Sequence, residues 1–366
     1  MDPVVVPLDS PAAAEPALVG GKASGLARLV AAGLPVPDGF AVVAGADPDG
    51  AEVAATIGES YAALGDGTPV AVRSSAVGED GDDVSFAGAH DSSLDVVGID
   101  AVLDAIRSCR GSVRSERAVA YRAALGVEGE PPMAVVVQRM VRADRAGVMF
   151  TRDPLGSGEV VVEAVRGAGM AVVDGAAAPD PEALSPSELD ALRELARRVE
   201  GLFGAPQDVE WAIDEGGTVW LLQSRPITAS APVRALGPNA GSPDPIPVPV
   251  LVRGLGAAPG VATGAARVLL TPEDADRLDE GEVLVAPTTS PAWVPAMVRA
   301  AAIVTDLGGI TSHAAIVARE LGLPCVVGAG DATARLADGA SVTVDGGAGT
   351  VTAGGPPDRP DEVRPA

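Results

Sequence analysis

Residues 305–328 read T-D-L-G-G-I-T-S-H-A-A-I-V-A-R-E-L-G-L-P-C-V-V-G, and this run predicts a strand, a turn and a helix in close succession. Ala301 to Asp306 is apolar enough to form a buried strand. Thr311 or Ser312 is a natural N-cap for the helix that follows. The pattern indicates an α/β domain in which His313 lies in the first turn of a helix.

A histidine at the start of a helix has two chemical advantages as a phosphoryl carrier. The positive end of the helix dipole lowers the imidazole pKa, so a neutral and nucleophilic ring nitrogen is available near pH 7. The same end favours the phosphoryl group once it is attached. The alternative interpretation is a core or capping histidine, which is the ordinary role of a lone His. Four small neighbours are expected to leave room for a phosphate donor: Gly308, Gly309, Ala314 and Ala315.

A hairpin is predicted upstream, where residues 209–215 (V-E-W-A-I-D-E) and 218–225 (T-V-W-L-L-Q-S-R) flank a Gly-Gly dipeptide. A two-residue turn at Gly216-Gly217 would place Glu210 opposite Gln223 on one face of the hairpin. Oxygen ligands in this arrangement suit Mg²⁺ that bridges nucleotide phosphates. The same register pairs Asp208 with Arg225, whose guanidinium is then available for phosphate. The alternative is a polar cross-strand pair on a solvated face.

Two further cations are candidates for phosphate binding. Lys22 is the only lysine in the chain and lies in G-G-K-A-S-G, before a helix that is expected to run from Leu26. A compact ammonium beside glycines can approach a phosphate closely, although the segment is not a Walker A loop. Arg73 follows a short apolar run and can bind phosphate oxygens with its planar fork. An ordinary turn before a helix and a surface ion pair are the respective alternatives.

Composition narrows the class of protein. Hydrophobic residues make up 47% of the 366 residues, which is enough to bury the cores of two or three domains. The net charge of −24 disfavours nucleic acid and anionic membranes as partners. No secretory signal or membrane-length apolar run is apparent, and the two cysteines are interpreted as reduced thiols. A cytoplasmic protein is therefore expected. Two histidines and two cysteines do not favour a zinc site, and His90 is interpreted as a surface residue.

A proline-rich segment divides the chain. Residues 230–252 repeat proline without a helical or strand period and are predicted to form an extended linker. The prediction therefore has one domain at residues 1–229, a second at residues 253–355, and a disordered tail at residues 356–366. Strands and helices mix in both domains, so the fold class is α/β or α+β.

The motifs resemble those of the phosphoenolpyruvate synthase, pyruvate phosphate dikinase and rifampicin phosphotransferase family. The resemblance rests on the 305–328 run and on the hairpin V-E-W-A … L-L-Q-S-R-P. It covers most of the chain, and it implies an ATP-grasp nucleotide-binding domain followed by a small swivelling phosphohistidine domain. In that family the histidine of the first motif is the phosphoryl carrier, which corresponds to His313. The resemblance also implies ATP-binding roles for Lys22, Arg73, Gly88, Ser92, Gln138, Glu210, Gln223 and Arg225, with Mg²⁺ on Glu210 and Gln223.

The function implied is ATP-dependent phosphoryl transfer of the dikinase type. His313 takes the β-phosphate of ATP with release of AMP, the terminal phosphate is removed, and the remaining phosphoryl group passes to an acceptor. Only the proline-rich segment lies where relatives carry an acceptor domain, so the acceptor is a small molecule or is held on a separate protein, as in a split synthase. An ATP-dependent condensing enzyme and a non-enzymatic phosphocarrier remain alternatives.

Overall fold

A computed structural model of the chain describes residues 3–65, 67–78, 92–124, 126–127, 129–167, 179–227 and 249–354. The chain divides into two compact units, residues 1–229 and residues 230–366. Each unit has its own sheet structure and its own hydrophobic core. With only 2% aromatic residues in the sequence, both cores consist largely of Val, Ala and Leu.

The first unit contains an antiparallel five-stranded sheet. Its strands are β1 (Val5–Pro7), β2 (Gly39–Val42), β3 (Val70–Ala76), β4 (Ser92–Val96) and β5 (Met133–Arg139). They lie in the order β1-β2-β5-β3-β4. The continuous apolar run in β5 is explained by complete burial of three successive valines, 135 to 137. The accompanying helices are α1 (Pro16–Ala31), α2 (Ala51–Ala63), α3 (Ile99–Gly111) and α4 (Glu116–Ala124).

A second antiparallel sheet completes the first unit. It contains β6 (Ala143–Phe150), β7 (Val161–Arg166), β8 (Gln207–Asp214) and β9 (Val219–Pro226), in the order β7-β6-β8-β9. Helix α5 (Pro186–Phe203) packs against β6 and β8, and it begins at the predicted cap, where Ser185 and Glu188 form a capping box. Helix α1 contacts both β3 and β9, so it packs against a strand from each sheet.

The turn between β8 and β9 differs from the predicted two-residue turn. Asp214 N–H donates to the carbonyl of Thr218 at 3.0 Å, so three residues, 215–217, form the loop. The Asp214 carboxylate accepts hydrogen bonds from the N–H groups of Gly216 and Thr218, both at 2.9 Å. An aspartate that binds its own following backbone in this way favours the wider loop. Gly217 has a positive φ of 81°, which suits its position in this loop.

A β-bulge restores the predicted pairing further along the hairpin. The three-residue loop places Trp211 opposite Leu221, one residue away from the predicted register. The extra residue Leu222 then shifts the register back, and Glu210 lies opposite Gln223 as predicted. The predicted pair is therefore correct, although the turn on which the prediction depended is wrong.

The second unit contains an eight-stranded mixed sheet with helices inserted between its parallel strands. The strands are β10 (Val250–Arg253), β11 (Leu255–Ala258), β12 (Val261–Val268), β13 (Val283–Ala286), β14 (Ala302–Thr305), β15 (Cys325–Val327), β16 (Ser341–Asp345) and β17 (Thr350–Ala353). Their order is β10-β17-β16-β12-β13-β14-β15-β11, and β12 to β15 run parallel. The helices are α6 (Val294–Met297), α7 (His313–Leu321) and α8 (Ala332–Arg335).

The predicted α/β fold class is confirmed by this architecture. Strand β10 starts at Val250, inside the predicted linker 230–252, and residues 228–248 lie outside the described part of the chain. The predicted tail also lies outside it, since the description ends at residue 354. No helix in the described ranges has the length and apolarity that a membrane span requires.

Candidate active site

One face of the five-stranded sheet carries two of the predicted ATP-binding side chains. Arg73 pairs with Val136 across β3 and β5, and two residues along the same strands Ala71 pairs with Gln138. Because paired residues share a face and the face repeats every second residue, Arg73 and Gln138 lie on the same side. The Gln138 side chain is buried and donates to the carbonyl of Pro37 at 3.3 Å.

Arg73 extends from this sheet to the hairpin of the second sheet. Its Nη1 lies 3.1 Å from Glu210 Oε2, 3.5 Å from Gln223 Oε1 and 3.5 Å from the carbonyl oxygen of Leu222. The Arg73 and Glu210 side chains are 14% and 21% exposed. Three predicted site residues, far apart in sequence, therefore meet between the two sheets. The prediction placed Arg73 on phosphate, whereas in this structure its partners are the two residues predicted to bind the metal.

Arg225 is also paired with a carboxylate. Its Nε and Nη2 donate to Asp208 Oδ2 at 2.9 Å and 2.7 Å, and both side chains are mostly buried. Since Asp208 and Arg225 are a cross-strand pair two residues from Glu210 and Gln223, all four side chains share one face of the hairpin, as predicted. The two arginines therefore do not form an uncompensated patch of positive charge: each lies against a carboxylate.

Lys22 lies inside helix α1, and the prediction that the helix starts only at Leu26 is wrong. The helix is interrupted at Gly20, where φ is 77° and ψ is 175°, and it continues immediately afterwards. The Ser75 hydroxyl accepts a hydrogen bond from the backbone N–H of Ala23 at 3.1 Å and donates to the carbonyl of Val19 at 2.7 Å. A serine two residues beyond Arg73 thus caps the renewed helix and holds Lys22 in its first turn.

A cavity of about 360 Å³ lies where the two sheets of the first unit join. Trp220 and Asp214 contribute to its wall and are joined by a hydrogen bond from Trp220 Nε1 to Asp214 Oδ2 of 2.8 Å. This bond is the main cause of the lowered pKa of Asp214. Asp214 lies four residues from Glu210 on β8, so the cavity lies on the same face of the hairpin as the Glu210 side chain. We call the oxygens of Glu210, Gln223 and Leu222 around Arg73 Nη1 the oxygen cluster. The remaining wall is formed by Pro37, Asp38, Arg139, Met140, Val141, Arg142, Glu215 and Gly216.

Three other predictions concern residues that follow Arg73 in the sequence. Ser92 lies directly across from Arg73 on β4 and is exposed. Gly88, a predicted ATP-binding residue, and His90, a predicted surface residue, lie outside the described residues.

In the second unit, His313 is the first residue of helix α7, as predicted, and Ser312 is its N-cap. Its Nδ1 lies 3.0 Å from Thr289 Oγ1. The imidazole is only 5% exposed, however, although a ring with open space for a donor was expected. Ala314 and Ala315 are buried as well and belong to the packed interior, so the expectation that they leave room for a donor is wrong. They are small because the helix packs closely against its sheet.

Two buried side chains that the sequence motifs did not single out support the segment around His313. Thr289 precedes the histidine by 24 residues and lies in a loop without any periodic pattern. Arg319, on the same helix, donates through Nη1 to the carbonyls of Ala257 and Ile310, both at 2.9 Å. The Ile310 contact fixes the loop that leads into the helix. The charge of Arg319, next to Glu320 near the end of a mostly apolar helix, did not by itself indicate this role.

Comparison with known proteins agrees with the architecture of both units. Residues 48–184 and 181–235 match a family described as the pyruvate phosphate dikinase AMP/ATP-binding domain. Residues 278–349, which include His313, match the mobile domain of PEP-utilising enzymes. The chain belongs to the pyruvate phosphate dikinase and phosphoenolpyruvate synthase family. The predicted family and the predicted ATP-grasp type of the first unit are thereby confirmed, and the matched domain is one described as binding AMP and ATP.

Relatives in this family are longer than the present chain. A protein of Archaeoglobus fulgidus named probable phosphoenolpyruvate synthase is 38% identical over 426 residues, covering 92% of this chain and 56% of its own length. One of Methanothermobacter thermautotrophicus with the same name is 36% identical, covering 92% and 61%. The chain thus spans little more than half the length of these relatives. Among solved structures, a D-alanine–D-alanine ligase of Coxiella burnetii is 13% identical over 56% of this chain and 47% of its own, with a TM-score of 0.33, which is too low to support a conclusion.

Proposed function

We propose that this chain is an ATP-dependent phosphotransferase of the dikinase type that carries the phosphoryl group on His313. Two features of one chain carry the proposal. The oxygen cluster with Arg73 and Arg225 provides a place for nucleotide phosphates, and the histidine at the start of helix α7 provides a nucleophile.

The nucleotide is proposed to lie along the shared face of the hairpin. Its base occupies the cavity beside Trp220, and its phosphates lie near Glu210, Gln223 and Arg225. Asp214 and Glu210 are four positions apart on β8, about 13 Å along a strand, and this distance suits the separation between the base and the terminal phosphates. Lys22 and Arg73 supply further positive charge to the phosphates. Catalysis by this half is then mainly positioning and charge neutralisation.

The residues present fit Mg²⁺. Oxygens of Glu210, Gln223 and Leu222 already converge on one positively charged nitrogen of Arg73, which acts as a stand-in for a cation. No group of three or more His, Cys, Asp or Glu suited to a metal occurs among the described residues. A site with few protein ligands is typical of Mg²⁺ that is bound together with phosphates. Glu210 and Gln223 would hold the ion, which would neutralise charge on the transferring phosphate.

His313 is proposed to attack the β-phosphorus of ATP through Nε2, because Nδ1 is engaged with Thr289. The bond between the α-phosphate bridging oxygen and the β-phosphorus breaks, AMP leaves, and a pyrophosphoryl group remains on the ring. Water or phosphate then takes the terminal phosphoryl group. The positive end of the helix dipole at the start of α7 favours the negative charge that accumulates there.

The burial of His313 sets a condition for this chemistry. A ring that is 5% exposed cannot meet an ATP phosphate until its surroundings open. We propose that the second unit swings on the predicted linker, shortened to the residues before β10 at Val250, and that its movement uncovers the ring. The acceptor of the remaining phosphoryl group is a small molecule, bound by this chain or by a separate acceptor protein.

A cytoplasmic location is also proposed. Both cysteines are buried, and burial raises the pKa of the Cys325 thiol to about 12, so it remains protonated. Reduced structural thiols of this kind are typical of a reducing compartment.

The test is transfer of radioactive phosphate from ATP labelled at the β-position. The intact chain with ATP and Mg²⁺ should become labelled and should release AMP. His313→Asn should remain unlabelled, whereas His90→Asn, a matched change at the other histidine, should label normally. Release of ADP as the only nucleotide product, or labelling of the His313 variant, would refute the proposal.

A further inference from the structure

The Arg73 guanidinium occupies the position of a bound cation on the β8–β9 hairpin. Oxygens of Glu210, Gln223 and Leu222 lie within 3.5 Å of its Nη1. Two of these three are the side-chain oxygens that the proposed function assigns to Mg²⁺. The third is the carbonyl of the bulge residue, which the predicted regular hairpin would not have directed to this point.

These oxygens can serve only one cation at a time. A metal ion would lie about 2.1 Å from each oxygen, and a guanidinium nitrogen that stays within hydrogen-bonding distance of the same oxygens would be almost in contact with it. The Arg73 and Glu210 side chains are 14% and 21% exposed, so water screens the repulsion between the two positive charges only weakly. Arg73 and the metal must therefore compete for Glu210 and Gln223.

A bound nucleotide would give Arg73 an alternative partner to Glu210. It lies on the same face as Gln138, on the side of the sheet from which it reaches the hairpin. A phosphate bound between the sheets would offer the planar guanidinium two acceptor oxygens and a larger negative charge in exchange for one carboxylate. Without the phosphate, leaving Glu210 would place an uncompensated charge in a mostly buried site, which is costly.

We propose that Arg73 is a placeholder cation: in the nucleotide-free enzyme it holds Glu210 and Gln223 and excludes free divalent metal, and it yields to the metal only when nucleotide phosphates attract it. The inference rests on the proposed nucleotide site. Nucleotide and metal then bind cooperatively, and each raises the affinity for the other by the same factor. The arrangement keeps the site from being filled by metal alone.

The test is Mn²⁺ binding to the intact chain without nucleotide, measured by the electron paramagnetic resonance signal of free Mn²⁺. Nucleotide-free wild type should bind Mn²⁺ only weakly. Arg73→Met should bind one Mn²⁺ ion with an affinity at least about tenfold higher than that of wild type. Adding Glu210→Gln to Arg73→Met should abolish the gain. Arg114→Met is the matched control: it removes the same charge from an Arg–Glu pair, with Glu130, but an exposed one. It should gain no tight site.

Three results would overturn the placeholder. They are equal Mn²⁺ affinity of wild type and Arg73→Met, a tight site in nucleotide-free wild type that Glu210→Gln removes, and a gain of the same size in Arg114→Met. If Arg73→Met does not fold, Arg73→Gln replaces it. Titration of wild type with a non-hydrolysable ATP analogue and Mn²⁺ distinguishes failure of the proposed nucleotide site from failure of the placeholder role of Arg73. Absence of a ternary complex would refute the proposed nucleotide site, whereas a normal ternary complex with unchanged metal binding in the Arg73 variant would refute only the placeholder.

Discussion

Thr289 is the residue that orients the proposed nucleophile. Its Oγ1 lies 3.0 Å from His313 Nδ1. Thr289 is only 1% exposed. When Nδ1 carries the proton and donates it to this hydroxyl, Nε2 holds the lone pair and is the nucleophilic nitrogen, so the hydrogen bond orients the ring for attack through Nε2.

Replacing Thr289 with Val keeps the shape of the side chain and removes the hydrogen bond. The loss of one buried hydrogen bond is worth about 1 to 2 kcal/mol, so labelling from β-labelled ATP should slow by roughly 5- to 30-fold. Thr289→Ser should recover most of the rate because it restores the hydroxyl. If Thr289→Val and wild type label at the same rate, the hydroxyl does not orient the ring.

Helix α1 depends on its interruption at Gly20. A Cβ at this position would lie 2.1 Å from the carbonyl oxygen of Ser75, and φ is 77°. Gly20→Ala should therefore separate α1 from β3 and lower the free energy of unfolding by about 2 kcal/mol or more. Urea unfolding followed by circular dichroism measures this. Gly33→Ala is a suitable control, since it also has a positive φ but has open space around it.

Strands β12 and β13 are tied by an ion pair with a pH-dependent contribution. Arg267 donates to both carboxylate oxygens of Glu282, at 2.9 Å and 2.5 Å, and the guanidinium lowers the pKa of Glu282. A lowered folded pKa means that the stabilisation is present above the unfolded value of about 4.3 and is lost as pH falls through the folded value. Glu282→Gln should reduce the melting temperature at pH 7, and the difference from wild type should be smaller at pH 3. An equal difference at both values would contradict this.

The whole molecule carries a net charge of −24, and self-repulsion acts on both units. Added salt screens this repulsion more than it weakens individual exposed ion pairs, each of which contributes little. Raising NaCl from about 10 mM to about 500 mM should therefore raise the melting temperature by several degrees. KCl at the same ionic strength should act equally. A melting temperature that falls with both salts would show that ion pairs outweigh the repulsion.

Over the whole chain, local sequence patterns predicted much of the secondary structure correctly. Apolar runs, the Ser185 cap and the position of His313 at a helix start depend on neighbouring residues, so they could be derived from the order of residues alone. The opposed positions of Glu210 and Gln223 also follow from local pairing, even though the loop was three residues long and a bulge compensated for it.

Contacts between distant segments required the folded arrangement. Arg73 lies 137 residues from Glu210, and which acidic group it meets depends on how two sheets pack together. Thr289 reaches His313 because the loop after β13 and the helix after β14 lie at the same end of parallel strands. Burial of the imidazole has the same origin. Periodicity encodes which face of an element is apolar, but the partner of a polar side chain is set by packing between elements, which no short stretch of residues specifies.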